Sequence, residues 1–192
     1  METLNLYFNS HKYPLTSHQL DSYRQFLRTH IPNIIKSSNP ITMIKSENDD
    51  DGNSSPFKVE VIIGYNDNIF IDRPTIMEGN KDKLLTPNDA RLRNLTYETH
   101  IYADVRFDFF EDGSDTPVEF ENKENIFKNI YIGSVPIMLH SDPCVLHGQN
   151  QHVLRAMNEC VYDYGGYFIL NGKEKVIISQ ERITKNRLFK VL

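Results

Sequence analysis

The stretch Gly165-Gly166-Tyr167-Phe168-Ile169-Leu170-Asn171-Gly172-Lys173-Glu174-Lys175-Val176-Ile177-Ile178-Ser179-Gln180-Glu181-Arg182 decides how this chain is read. The paired glycines interrupt whatever precedes them. Asn171-Gly172 is a dipeptide favoured in tight hairpin turns, whose two central residues need positive φ. The runs Tyr167–Leu170 and Val176–Ser179 are therefore expected to pair across it. Strand alternation puts Lys173, Lys175 and Ile177 on one face and Glu174, Val176 and Ile178 on the other. Gln180 and Arg182 follow as the strand ends. A lysine, a glutamine and an arginine along one edge can hydrogen-bond a nucleic-acid backbone. Lysines also keep a strand edge solvated and unpaired, so the pattern alone leaves both readings open.

Outward from this stretch, strands dominate. Tyr97–Phe109 alternates, with Ile101, Ala103, Val105, Phe107 and Phe109 on one face. Ile126–Ile132 reads as another strand, leading through Gly133 into Val135–Leu139. Phe57–Ile63 and Ile69–Asp72 read as a hairpin across Asn66-Asp67-Asn68. Residues 46–55 and 111–125 read as acidic loops, and 74–90 as a connecting stretch. A helix is expected from Ser17, taken as its N-cap, with the apolar stripe Leu20, Tyr23, Leu27, Ile31 and Ile34. Pro32 should disturb it, and it should end before Pro40. A short helix is expected around Gln151–Glu159, and a further strand at Leu188–Leu192. There is no internal repeat and no βαβ alternation. The expected fold class is α+β, a strand-rich mixed domain with an N-terminal helix, rather than a parallel nucleotide-binding sheet.

The composition is that of a globular chain: 192 residues, 39% hydrophobic and 24% charged. No apolar run approaches the roughly 18–20 residues of a membrane span, so no membrane partner is expected. The chain opens without the basic and apolar regions of a secretory leader. Cys144 and Cys160 are too few for a disulfide framework, and a reducing, intracellular setting is expected. The net charge of -5 is unevenly spread. Residues 47–125 hold 8 Lys/Arg against 19 Asp/Glu, whereas residues 171–192 hold 6 against 2. A basic patch on an acidic protein can still meet phosphate locally.

Other constellations carry less. His140, Cys144, His147, His152 and Cys160 could supply a tetrahedral zinc site. Their spacing contains no C-x-x-C or H-x-x-x-H pair, and buried cysteines with surface histidines are the simpler reading. Neither Gly165-Gly166 nor Asn171-Gly172-Lys173 fits a phosphate-binding loop, and no Gly-x-Ser-x-Gly elbow is present. Glu111, Asp112, Asp115, Glu119 and Glu121 read as a solvated acidic loop, since a catalytic carboxylate pair needs one member desolvated.

Several stretches, in order, resemble the N-terminal part of the second-largest subunit of DNA-directed RNA polymerase. They are Leu20-Asp21-Ser22-Tyr23 with Phe26, Ile71-Asp72-Arg73-Pro74, Leu84–Tyr97 with its Asp89-Ala90-Arg91-Leu92-Arg93 centre, Ile132–Leu139, and Glu159-Cys160 followed by Gly165–Arg182. The details are closer to the eukaryotic, archaeal and large-DNA-virus branch than to the bacterial subunit. The resemblance implies that residues 1–192 are the N-terminal part of the protrusion, a mixed domain on one wall of the DNA cleft, here incomplete because a later returning segment finishes it. An isolated chain would then have an incomplete core and exposed strand edges. The family's activity is template-directed nucleotidyl transfer, with its catalytic residues elsewhere. No cofactor is expected in this segment, although Mg2+ and Zn2+ are implied for the complete enzyme. The implied partners are the largest subunit, the other polymerase subunits, the DNA template and the RNA–DNA hybrid. The implied setting is the nucleus, or the virion or host cytoplasm if the chain is viral.

By the same resemblance, Lys175 and Gln180 face nucleic acid or an adjacent inhibitor-binding pocket, with Arg182 as a further member. Arg91 and Arg93 are read as structural ties. A stand-alone, non-catalytic interaction protein derived from the same domain is the alternative. A downstream reading frame continuing into catalytic segments separates the two. A zinc-dependent hydrolase on the His/Cys cluster would require bound metal.

Overall fold

The computed structural model describes residues 2–10, 13–48, 54–110 and 125–182. In order they form α1 (Glu2–Ser10), α2 (Ser17–Gln25), a wider π-turn (Phe26–His30), α3 (Ile31–Ser38), β1 (Ile41–Asn48), β2 (Ser54–Ile63), β3 (Ile69–Ile71), β4 (Thr75–Glu78) and β5 (Lys81–Leu84). There follow α4 (Pro87–Leu92), β6 (Glu98–Phe110), β7 (Ile126–Pro136), α5 (Gln151–Ala156), β8 (Phe168–Leu170) and β9 (Lys173–Lys175). The mixture of short helices and antiparallel sheets is the α+β class that the sequence predicts.

The helical run follows its apolar stripe, with one exception. Leu20, Tyr23, Leu27 and Ile31 are buried, but Ile34 is 57% exposed. Ser17 is the first helical residue rather than the cap. Thr16 holds the cap position, and its hydroxyl donates to the Tyr164 carbonyl at 2.9 Å instead of closing the helix end. Pro32 disturbs the helix by widening the turn before it, where the Ile31 N–H reaches back to the Phe26 carbonyl. Proline has no N–H for the carbonyl four residues earlier, and its ring crowds that oxygen. The chain then restarts as α3 with Pro32 in the first turn, where a missing donor costs nothing. The helix stops at Ser38, ahead of Pro40.

β6 organises the main sheet. β7 pairs with it over Glu98–Arg106, β2 over Val105–Phe110, and β3 over Ile101–Ala103. Both β2 and β3 overlap β7 in register, so both must occupy the opposite edge of β6. They are two parts of one line and not a hairpin. Between them, residues 64–68 stand opposite Asp104 alone. The Gly64 N–H donates to the Asp104 carbonyl at 2.8 Å, and the Asp104 N–H donates to the Asn68 carbonyl at 3.2 Å. The Asp104 carboxylate accepts from the Asn68 amide at 2.8 Å and from the Asn129 N–H across the sheet at 3.0 Å. Gly64, Asn66 and Asp67 take positive φ to form the excursion. Turn-forming residues here carry the chain out and back to the same edge.

Further differences from the sequence reading follow from tertiary pairing. Ser46–Asn48 and Ser54-Ser55 belong to β1 and β2, which form an antiparallel pair from Ile41↔Val61 to Asn48↔Ser54. The Asn39 side chain extends this ladder by one step, donating to the Ile63 carbonyl at 2.6 Å and accepting its N–H at 3.0 Å. Residues 74–90 contain the β4–β5 hairpin and the start of α4. Residues 111–124 and the expected strand at Leu188–Leu192 lie outside the described residues.

Among the described residues, three apolar clusters fill the interior. Val59, Val61 and Val105 pack at one end of the sheet. Ile101 and Met138 meet the helical stripe Leu20, Tyr23, Leu27 and Ile31. Tyr97, Ile137, Leu139, Leu146 and Ile169, all but sealed from solvent, form the third, which underlies the β8–β9 hairpin. No helix among the described residues is long and apolar enough to cross a membrane.

Candidate nucleic-acid interface

The Asn171-Gly172 turn forms as the dipeptide predicts, with φ of 50° and 74°. Its pairing is shorter than expected. β8 and β9 are in register from Leu170↔Lys173 to Phe168↔Lys175, and the ladder stops there. The next hydrogen-bonded step would join Gly166 to Ile177, but the Gly166 N–H is committed to the Leu139 carbonyl at 3.1 Å. Val176–Ser179 therefore leaves the hairpin unpaired, and the predicted in–out alternation beyond Lys175 fails. Val176, Ile177 and Ile178 are all exposed.

The far edge of β8 is bolted to the core. The Tyr97 N–H donates to the Ile169 carbonyl, the Leu139 N–H to the Tyr167 carbonyl and the Gly172 N–H to the Leu95 carbonyl, each at 2.9 Å. Below it, the buried Tyr97 hydroxyl donates to the Cys144 sulfur at 3.4 Å and accepts the Val145 N–H at 3.1 Å. Burial pushes the Tyr97 hydroxyl and the Cys144 thiol upward in pKa, so both stay neutral.

A charged network holds the hairpin from the side. α4 is capped by the Thr86 hydroxyl, which accepts the Asp89 N–H at 3.1 Å, and it carries Arg91. Arg91 Nε donates to Glu174 Oε1 at 2.9 Å, one terminal nitrogen to Glu159 Oε2 at 3.0 Å and the other to the Tyr167 hydroxyl at 2.8 Å. That hydroxyl donates in turn to Asp163 at 2.6 Å. Burial opposes the charge on Arg91, but the hydrogen bonds to Glu159 and Tyr167 prevail and raise its pKa further. Burial pushes the Glu159 carboxyl up, and Arg91 offsets this only in part. Arg91 is thus the tie that the sequence suggests, and so is Arg93, which pairs with Glu78 of β4. The sequence alone does not identify Glu159, Tyr167 and Glu174 as its partners. The one available signal was alternation, which sets Glu174 on the face opposite Lys173 and Lys175.

All three predicted contact residues are exposed. Lys175 ends β9 and, with Ser179, lines a mostly apolar groove of about 680 Å³ between the hairpin exit and α2. Gln19 of α2 spans this groove, donating to the Ile177 carbonyl at 3.2 Å. Gln180 and Arg182 lie further along the irregular segment. No hydrogen bond or ion pair among the described residues ties either to Lys175.

The His/Cys cluster is not assembled as a metal site. Among the described residues no three His, Cys, Asp or Glu side chains converge to hold an ion. The cysteines also differ: Cys144 is buried and Cys160 is exposed, against the expectation that both are buried. His147 pairs through Nδ1 with the His140 carbonyl at 3.0 Å. The carboxylates of Glu111, Asp112, Asp115, Glu119 and Glu121 lie outside the described residues.

Fold and site together define an α+β module that carries a basic hairpin on a half-buried arginine–carboxylate network. A family model described as RNA polymerase beta subunit matches residues 14–189, and the chain belongs to that family. It is 35% identical over 176 residues to DNA-directed RNA polymerase II subunit 2 of Arabidopsis thaliana, covering 91% of this chain and 15% of that protein. It is 35% identical over 179 residues to DNA-directed RNA polymerase subunit Rpo2N of Methanothermobacter thermautotrophicus (strain Delta H), covering 92% of this chain and 30% of that protein. It is 34% identical over 176 residues to DNA-directed RNA polymerase III subunit RPC2 of Saccharomyces cerevisiae, covering 91% and 13%. The chain thus spans between 13% and 30% of the length of these three relatives.

Proposed function

We propose that this segment works within the second-largest subunit of a multisubunit DNA-directed RNA polymerase that copies DNA into RNA inside the cell, in the nucleus if the chain is eukaryotic and in the virion or host cytoplasm if it is viral. Its place is one wall of the DNA cleft, beside the largest subunit. Its task is to touch the nucleic-acid backbone through Asn171–Arg182, with Lys175, Gln180 and Arg182 as the contacting side chains. The bond-making chemistry and its Mg2+, and the Zn2+ of the complete enzyme, belong to other parts of the assembly, and no step here runs through a metal.

The observation that carries this reading is the anchored hairpin. Its inner strand is fixed to Leu95–Tyr97 and Leu139, while Lys173 and Lys175 stand in solvent. A lysine held on a rigid support neutralises phosphate without reading sequence, which suits an enzyme that moves along any template. Gln180 would add a hydrogen bond to a sugar or phosphate oxygen.

The test is Lys175→Glu in the polymerase assembled on the complete subunit. Lifetime of a stalled transcription complex is followed over a salt series. The variant is expected to release nucleic acid sooner at low salt, with the difference narrowing as salt rises. The salt slope of retention should fall by about one to two, because one phosphate contact is lost and a repulsion gained. Equal lifetimes at every salt concentration would remove the assignment.

A further inference from the structure

We propose that Arg91 is a positioning residue for the hairpin: its grip on Glu174 fixes which face of β9 turns outward, and so where Lys173 and Lys175 are offered to phosphate. This inference rests on the reading of the hairpin as a nucleic-acid contact. Glu174 sits between the two lysines, and neighbours on a strand point to opposite faces. Drawing Glu174 toward α4 at 2.9 Å therefore sends both lysines the other way.

The outer strand needs such help. β8 is fixed to the core, but β9 is three residues long and, among the described residues, pairs with the equally short β8 alone. So short an outer strand gains little rigidity from its own ladder. Arg91 is itself immobilised, because its other two nitrogens are committed to Glu159 and Tyr167. A planar guanidinium can serve three such partners at once, and a lysine ammonium does not reproduce that fork.

The sign of the effect separates positioning from plain electrostatics. Glu174 is a negative charge on a cationic edge and repels phosphate. If the hairpin acted only through its net charge, removing Glu174 would tighten nucleic-acid retention. If Glu174 is the handle by which Arg91 sets the strand, removing it loosens retention although a repulsive charge has gone.

The experiment uses the polymerase assembled on the complete subunit and a synthetic DNA template–RNA scaffold. Glu174→Gln is expected to dissociate about two- to fivefold faster than the parent, the range an exposed ion pair commands. Its salt slope should fall by up to about one. Arg91→Lys should shift both in the same direction. Slower or unchanged dissociation of Glu174→Gln overturns the proposal. So does an equal loss in Arg93→Gln, whose partner Glu78 lies away from the hairpin in β4. Lys175→Glu on the same scaffold separates the two levels. If it has no effect, the reading of the hairpin fails. If it shortens the lifetime while Glu174→Gln does not, only the role of Arg91 fails.

Discussion

Gly172 and Gly79 offer a matched pair of perturbations. Both take positive φ, 74° and 63°, so alanine at either meets the same backbone penalty of ~1 kcal/mol. Their surroundings differ. A Cβ at Gly79 would meet nothing within 4 Å, whereas at Gly172 it would lie 2.7 Å from Asn94 Oδ1 and 2.8 Å from Asn94 Cα. The second contact is with backbone, so the hairpin must lift from the end of α4. Overpacking of that kind adds ~1–3 kcal/mol, giving a total of ~2–4 kcal/mol for Gly172→Ala. The cost falls on the hydrogen bonds Gly172 N–H to Leu95 and Tyr97 N–H to Ile169. Amide hydrogen exchange reads them directly, because each ~1.4 kcal/mol of local opening is a tenfold change in rate. Gly172→Ala in the complete subunit should accelerate exchange across 95–97 and 168–175 about thirtyfold or more. Gly79→Ala should leave those amides unchanged. Equal effects of the two substitutions, or unchanged protection in Gly172→Ala, would refute the docking argument.

Two other outcomes follow from buried polar groups. Tyr97→Phe keeps the ring in the core but leaves the buried Val145 N–H without its acceptor. Urea denaturation should show a loss of ~1–3 kcal/mol with an unchanged slope. Asp104 has its carboxyl held below the usual carboxylate range by the Asn129 N–H and the Asn68 amide. A lowered folded pKa means stability that is present above the ordinary carboxylate pKa and is lost as pH falls through the lowered one. Asp104→Asn should therefore show a lower urea midpoint than the parent at neutral pH. The gap should close as the pH drops below about 4, the ordinary carboxylate pKa, and a gap independent of pH would contradict the assignment.

Local signals in the sequence were sufficient where the cause is local. The alternation of Ile101, Ala103 and Val105 located β6, Asn171-Gly172 located the hairpin turn, and the stripe from Leu20 to Ile31 located the helical run. Where a distant group decides, the sequence misled. Asn66-Asp67-Asn68 has the chemistry of a turn, but only the hydrogen bonds to Asp104 determine that the chain resumes its direction instead of reversing. The strand after the hairpin turn ends at Lys175 because Leu139, far away in sequence, takes the Gly166 N–H. Arg91 could be recognised as a tie from its apolar flanks. Its partners Glu159, Tyr167 and Glu174 stand 68, 76 and 83 residues further on, beyond any local pattern. The exposed positions Lys175, Gln180 and Arg182 were legible as a basic edge, but the departure of Gln180 and Arg182 onto an unpaired segment beyond β9 was not.

The excursion at residues 64–68 has an evolutionary and practical consequence. It departs from β6 and rejoins it at a single opposing residue, so chain inserted between Asn66 and Asp67 enlarges only the outward bight. Neither flanking strand is displaced by a step, and no apolar side chain is flipped to the wrong side. Length variation among related chains is therefore cheap at this point, and it is a natural place to graft an epitope or a fluorescent reporter.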